Sequence, residues 1–318
     1  MRRAFVFVCL FSCGLFPDVG DLVGGDSATD VGAGDAIVEA APDASADAAA
    51  DAGLRCDPKK AFGVPQLVAV SGNGAVDTEN ARLDTSEKEI FFQQYASNYS
   101  YVLEATRTST TAAFGAATAI PSIDTTPTAD NWDQMLGADD LTLVFSSDRD
   151  GPDHLFITTR PSPSGAFGAP SPIAAINATS YGGSKPYIQG QNIALWYTSG
   201  PYSNGDIYVA QPDGNGSYAL GTPVVEINTT ADEGFPVVSA DGLVIYFFRD
   251  DPDAGQNEDI WTATRTSTTA PFDTPTRVDE LATPQDDDPS WLSPDLCRLY
   301  LTNDTTGHTA VYVASRTP

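Results

Sequence analysis

Carboxylates are the residues of this chain best placed to do chemistry. Four loops rich in them each run into a β-type stretch: VDTEN (76–80), TADNWD (128–133), TADEG (230–234) and QDDDP (285–289). A fifth loop in an equivalent place, TSYGGSK (179–185), brings Lys185 instead. If the loops converge, Asp77, Glu79, Asp130, Asp133, Asp232, Glu233, Asp286, Asp287 and Asp288 crowd one end of the molecule, with Arg82 and Lys185 as partial counter-charges. Crowded carboxylates repel, and a proton, a cation or a basic partner relieves the repulsion. Two of them at a set separation can also serve as acid and base in glycoside hydrolysis. A merely solvated acidic rim stands beside both readings. Trp132, Tyr181, Phe235 and Trp291 lie near the same loops, placed either to stack on a sugar or to pack in a core. Calcium is the cation expected at the mouth. The runs DRDGPD (148–153) and DDPDAGQNED (250–259) are further oxygen-rich places for it, without EF-hand spacing.

Other chemistry lacks its residues. The only histidines are His154 and His308, both in turn-like settings, and no G-x-S-x-G or C-x-x-C occurs. A serine triad and a zinc site therefore have little to work with. The net charge of -27 opposes binding to nucleic acid or to an anionic lipid surface.

The elements that must position these groups repeat. TRTSTTAAF (106–114) returns as TRTSTTAPF (264–272). Around it, LDTSEKEIFFQ (83–93), LGADDLTLVFS (136–146), IQGQNIALWYT (188–198), VSADGLVIYFF (238–248) and LSPDLCRLYLT (292–302) align at intervals of roughly fifty residues. Each is followed by a run such as HLFITTR (154–160) or DIWTATR (259–265). Every unit holds short stretches rich in Val, Ile, Tyr, Phe and Thr between Gly, Pro, Asp and Asn turns, which reads as four strands. Four strands in about fifty residues make a propeller blade.

The motif P-x-x-S-x-D-G-x-x-I-Y-F at 236–247, followed by D-I-W-T-A-T-R, resembles the TolB-like, WD-repeat-like β-propeller family over about residues 57–318. That resemblance implies the fold more securely than a function, since the family includes envelope subunits, peptidase-associated propellers and lipoproteins. The last unit lacks its fourth strand, and the chain starts with an unmatched one, FGVPQLVAV (62–70). Placing the first strand in the last unit closes an all-β, five-bladed ring of four-stranded antiparallel blades and removes an exposed edge. The recurring Arg107, Arg160, Arg265 and Arg316, with Phe114, Phe167 and Phe272, read as packing that each blade needs once.

That closure brings Cys56, ahead of the clasping strand, to the blade of Cys297, and predicts a disulfide of the kind that persists in exported proteins. Export is expected from the N-terminus. Arg2 and Arg3 precede the apolar run Ala4–Phe11, and Leu10-Phe11-Ser12-Cys13 resembles a bacterial lipobox. Residues 1–13 thus read as a signal with Cys13 acylated, although an ordinary secretory signal with an incidental Cys fits the same residues. Residues 14–55, rich in Asp, Ala and Gly, read as a disordered tether. The expected protein is a monomer in the bacterial envelope, anchored by lipid to the outer membrane on its periplasmic or surface face, with a protein or small molecule as partner. Its expected role is a non-catalytic binding or scaffolding module, with a five-bladed carbohydrate-active enzyme as the alternative.

Overall fold

The computed structural model describes residues 56–71, 78–96, 99–123, 129–151, 154–201, 203–250, 257–304 and 308–318. The chain divides into units 1–51 and 52–318. The signal, Cys13 and the tether lie outside the described residues.

Five four-stranded antiparallel sheets succeed one another along residues 66–315. From inner strand to outer, blade 1 comprises Thr78–Leu83, Glu89–Ala96, Tyr99–Thr106 and Thr118–Ala119. Blade 2 comprises Asn131–Leu136, Thr142–Ser147, His154–Thr159 and Ser171–Pro172. Blade 3 comprises Ser184–Gln189, Ala194–Ser199, Asp206–Ala210 and Thr222–Pro223. Blade 4 comprises Glu233–Val238, Val244–Asp250, Glu258–Thr264 and Thr276–Arg277. Blade 5 comprises Asp287–Leu292, Arg298–Asn303, Ala310–Ser315 and, from the other end of the chain, Gln66–Leu67.

The clasp is real. Gln66 and Leu67 pair antiparallel with Val313 and Tyr312, and Phe62 bridges to Arg316. Cys56 and Cys297 form a disulfide across it, with their Cα atoms 5.6 Å apart. A blade's second strand is covered on both faces, and Thr142–Ser147 is buried at every position. Third strands alternate between buried and half-buried residues, as in Tyr99–Thr106. Apolar side chains therefore fill the spaces between blades: Phe91, Val102, Phe145, Phe156 and Phe167 form one such layer between blades 1 and 2.

The repeated nonamer acts as a structural staple. The guanidinium of Arg107 stacks 4.3 Å from the Phe114 ring, Arg160 4.8 Å from Phe167 and Arg265 4.5 Å from Phe272. In each case the arginine Nε also donates to a carbonyl of the preceding turn, those of Glu87, Asp140 and Gly242. Arg316 of blade 5 has no phenylalanine after it, and the clasp supplies one, Phe62, at 3.9 Å. Stacking of arginine on an aromatic face is worth about 0.5–2 kcal/mol per pair, which suits a fastener used once per blade.

The inner strands position the site. Each slips register against its neighbour, between Glu79 and Arg82, Trp132 and Met135, Ser184 and Tyr187, Gly234 and Val237, and Pro289 and Trp291. Four residues within these slips hold φ near +50°: Asn80 (55°), Asp133 (52°), Lys185 (52°) and Phe235 (47°). Such bulges re-aim one side chain out of the strand's alternation. Side chains with non-glycine backbones take this conformation at a cost, and such strain clusters at functional sites.

Candidate active site

Asp133, from the bulge of blade 2, is 3% exposed. Its Oδ1 accepts from Asn80 Nδ2 at 2.7 Å, and its Oδ2 accepts from the Lys185 backbone N–H at 3.3 Å and the Ser146 hydroxyl at 3.5 Å. Burial pushes its carboxyl up to about 6, while the Lys185 and Arg82 charges act in the opposite direction. Lys185, from the bulge of blade 3, sends its ammonium over the rings of Phe248 at 4.4 Å and Phe235 at 4.8 Å.

A carboxyl pair completes the cluster. Glu258 opens the third strand of blade 4, and Asp288 lies on the inner strand of blade 5. Their side chains are hydrogen-bonded to each other, and both are raised. Burial is the first cause for each, and the Glu258 charge pushes Asp288 well above the usual carboxylate range. Two carboxyls can share a hydrogen bond only when one keeps its proton, so this pair holds a proton more readily than free carboxyls do. The Glu258 backbone N–H donates to Asp286 Oδ1 at 3.1 Å, which ties the two blades together here.

A pocket of about 340 Å³ opens among these groups, lined by Asp133, Lys185, Asp232, Asp250, Glu258 and Thr198, with Trp132 and Tyr181 on its wall. Tyr181 is about half exposed. Arg82, two residues along from Asn80, is fully buried, donates to the Ala81 carbonyl and lies 6.0 Å from the Tyr187 ring centre. A separate gap of about 50 Å³ is bounded by Leu83, Met135, Tyr187 and Trp291.

The nine carboxylates named from sequence fall into separate roles. Asp133 and Asp232 line the pocket, and Asp288 joins it through Glu258. Asp77 lies outside the described residues. Glu79 accepts from Thr309 Oγ1 at 2.8 Å and so links blades 1 and 5. Asp130 accepts from the Ser100 N–H at 2.6 Å, between blades 1 and 2. Glu233 is fully buried, pairs with Arg249 at 2.8 Å and accepts the Thr229 N–H at 2.9 Å. Asp287 does the same for Thr283 at 2.7 Å and also binds Asn303. Glu233 and Asp287 therefore hold the loops that enter their own strands. Of the aromatic residues, Trp132 and Tyr181 reach the pocket, whereas Phe235 and Trp291 are buried against Phe248 and Tyr300. Among the pocket's carboxylates, Glu258 and Asp250 belong to the run 250–259 that had suggested calcium, and carried no separate signal of a catalytic kind. His154 pairs with Asp150 at 2.8 Å, away from the pocket.

Calcium finds no prepared site among the described residues. Among the described residues no group of three or more His, Cys, Asp or Glu side chains is arranged to hold a metal ion. Asp133 already accepts from Asn80 and the Lys185 N–H, and the Lys185 ammonium supplies positive charge to Asp133, Glu258 and Asp288. The run 148–153 is likewise spoken for where it is described: Asp148 accepts the Asp130 N–H at 2.9 Å and Asp150 holds His154.

No protein-family model matches the sequence, and no curated protein matches it. Solved structures do match the fold. The catalytic domain of the Coprinopsis cinerea GH62 α-L-arabinofuranosidase superposes with a TM-score of 0.53 at 12% identity, covering 83% of this chain and 97% of that one. The α-L-arabinofuranosidase PaAbf62A of Podospora anserina, solved with cellotriose, gives 0.54 at 10% identity over 81% and 96%. TolB of Acinetobacter baumannii gives 0.43 at 13% identity over 76% and 55%. At such identities the likeness is one of fold. The expectation of a non-catalytic scaffolding module is nevertheless overturned. It rested on the lipobox, the long tether, the even repeats and the lack of a triad, whereas two rings that this one covers over nearly their whole length are α-L-arabinofuranosidases.

Proposed function

We propose that this acidic pocket hydrolyses glycosidic bonds. The observation that carries this reading is the proton-holding Glu258–Asp288 pair set beside the separately buried carboxylate Asp133, in a pocket with two aromatic side chains on its wall. Glycoside hydrolysis needs one carboxyl that holds a proton and one that does not. In this scheme the Glu258–Asp288 pair gives its proton to the leaving oxygen as the C1–O bond breaks. Asp133, ionised above about pH 6, takes a proton from the water that adds to C1. Trp132 and Tyr181 stack on the sugar, and Lys185 fixes the charge balance between the two acids. The glycosidases that share the ring support the reading through their fold, and the cellotriose complex names a neighbour's ligand, not this chain's. The likeness to TolB-like blades is retained as a likeness of the repeat unit. The lipobox-like leader and tether would place such an enzyme on the envelope, which fatty-acid labelling of wild type and Cys13→Ala tests.

The test is release of nitrophenol from a panel of 4-nitrophenyl glycosides, together with reducing-end release from oligosaccharides. Glu258→Gln and Asp133→Asn should each lower kcat/KM by at least about a hundredfold with the fold intact by circular dichroism. A wild-type protein that neither binds nor cleaves any of the panel overturns the reading.

A further inference from the structure

The charge of the pocket points to the kind of sugar. Asp133, Asp232, Asp250 and Glu258 line it, Asp288 is bonded to Glu258, and Lys185 is the sole cation on its wall among the described residues. That ammonium is committed to one side, over Phe235 and Phe248. Acidic residues alone would not define a ligand. A second observation does: several polar atoms here have no partner. Thr198 is 5% exposed and lines the pocket, yet its hydroxyl makes no hydrogen bond. Asp250 Oδ1 and Asp288 Oδ1 are buried acceptors without a donor. Buried carboxylate oxygens are seldom left unpaired, because losing water without a replacement donor costs about 1–3 kcal/mol or more. The groups therefore ask for a ligand that brings donors and positive charge together.

We propose that the pocket selects a glycosyl unit bearing a free, protonated amine, an amino sugar of the 2-amino-2-deoxyhexose class. This rests on the glycosidase reading and adds its substrate class. A neutral sugar offers hydroxyl donors but leaves the excess negative charge uncompensated. A uronic acid adds to the repulsion. An ammonium group supplies three donors and one charge, which matches the unpaired Asp250 oxygen and Thr198 hydroxyl of the lining, and it gains further from the faces of Trp132 and Tyr181. Gly205 keeps this corner open. A Cβ there would come within 2.8 Å of both Asp232 Oδ1 and Thr198 Cγ2.

The experiment compares fully deacetylated and fully N-acetylated glucosamine oligosaccharides of equal length, by calorimetric binding at pH 7 and by reducing-end release. The acetylated series has the same skeleton without the charge. The expected result is binding of the deacetylated series at least about tenfold tighter, the equivalent of about 1.4 kcal/mol, with the preference shrinking in high salt. Asp250→Asn should remove most of it while the melting temperature shows the fold retained. Equal affinity for both series overturns the amine preference and leaves the glycosidase reading standing if either series is cleaved. A preference undiminished in Asp250→Asn also overturns it, since the overall charge of -27 would then be the attractor. Tight, Asp250-dependent binding of the amine series without cleavage of any glycoside supports the amine site and overturns the hydrolase instead.

Discussion

Replacing Asp133 with Asn should make the protein more stable at neutral pH while inactivating it. The Asp133 carboxyl moves from an ordinary 3.8 in the unfolded chain to about 6 in the folded one, mainly through burial. Below about pH 4 both states hold the proton and the group is neutral in its effect. Between about pH 4 and 6 the folded chain holds it more tightly, so stability falls as pH rises. Above about pH 6 the full cost of keeping a buried charge is present. Two pH units at about 1.4 kcal/mol each put that cost at about 3 kcal/mol. An asparagine escapes it and still accepts from Asn80 Nδ2, but its amide faces the Lys185 N–H, which loses an acceptor worth about 1 kcal/mol. The net expectation is a gain of about 1–2 kcal/mol at pH 7.5, or about 2–8 °C in melting temperature, and no gain at pH 4. Urea unfolding at both pH values measures it. A variant less stable than wild type at pH 7.5, with an unchanged pH slope, refutes the assignment of Asp133 as a strained, ionised carboxylate.

Three further outcomes are expected. Reducing the Cys56–Cys297 disulfide, whose partners are 241 positions apart, should cost about 2–5 kcal/mol, and Cys56→Ser should make the melting temperature indifferent to reductant. Phe62→Ala removes both a buried ring and the stack on Arg316, so calorimetry should show a loss of about 3–5 kcal/mol and hydrogen exchange should quicken first in Ala310–Ser315. Gly205→Ala should lower kcat/KM about tenfold or more through displacement of Asp232, with a far smaller effect on unfolding, and unchanged kinetics would show that this corner of the pocket is idle.

The ring was legible because its signals are local and repeated. An Asp-Gly or similar turn recurs where the backbone needs a positive φ between the first two strands of a blade, at Glu87, Asp140, Asn192, Gly242 and Leu296. Closure followed from a surplus strand at one end and a missing one at the other. The site was legible only as a neighbourhood. Asp287 and Asp288 are adjacent acids in one loop, yet a strand sends neighbours to opposite sides, so one holds Thr283 while the other meets Glu258. Glu233 looked equivalent to Asp133 and instead pairs with Arg249, because the bulge falls two residues later, on Phe235. Glu258 escaped notice since it enters from the start of a third strand, not from the loops before the inner strands.

The clasp gives this ring a direction in time. A ribosome makes Phe62 and Gln66–Leu67 before any blade exists, and their partners Val313 and Arg316 come only after four blades have been made. The first strand of the ring is thus the last to be paired, and it waits through the synthesis of five blades with its edge bare. Contacts so far apart in sequence reward the chain only after the largest loop it can form has been closed, which slows folding. A protein ending a few residues early would keep four sound blades and the pocket's acids, and lose the bond that makes them a ring.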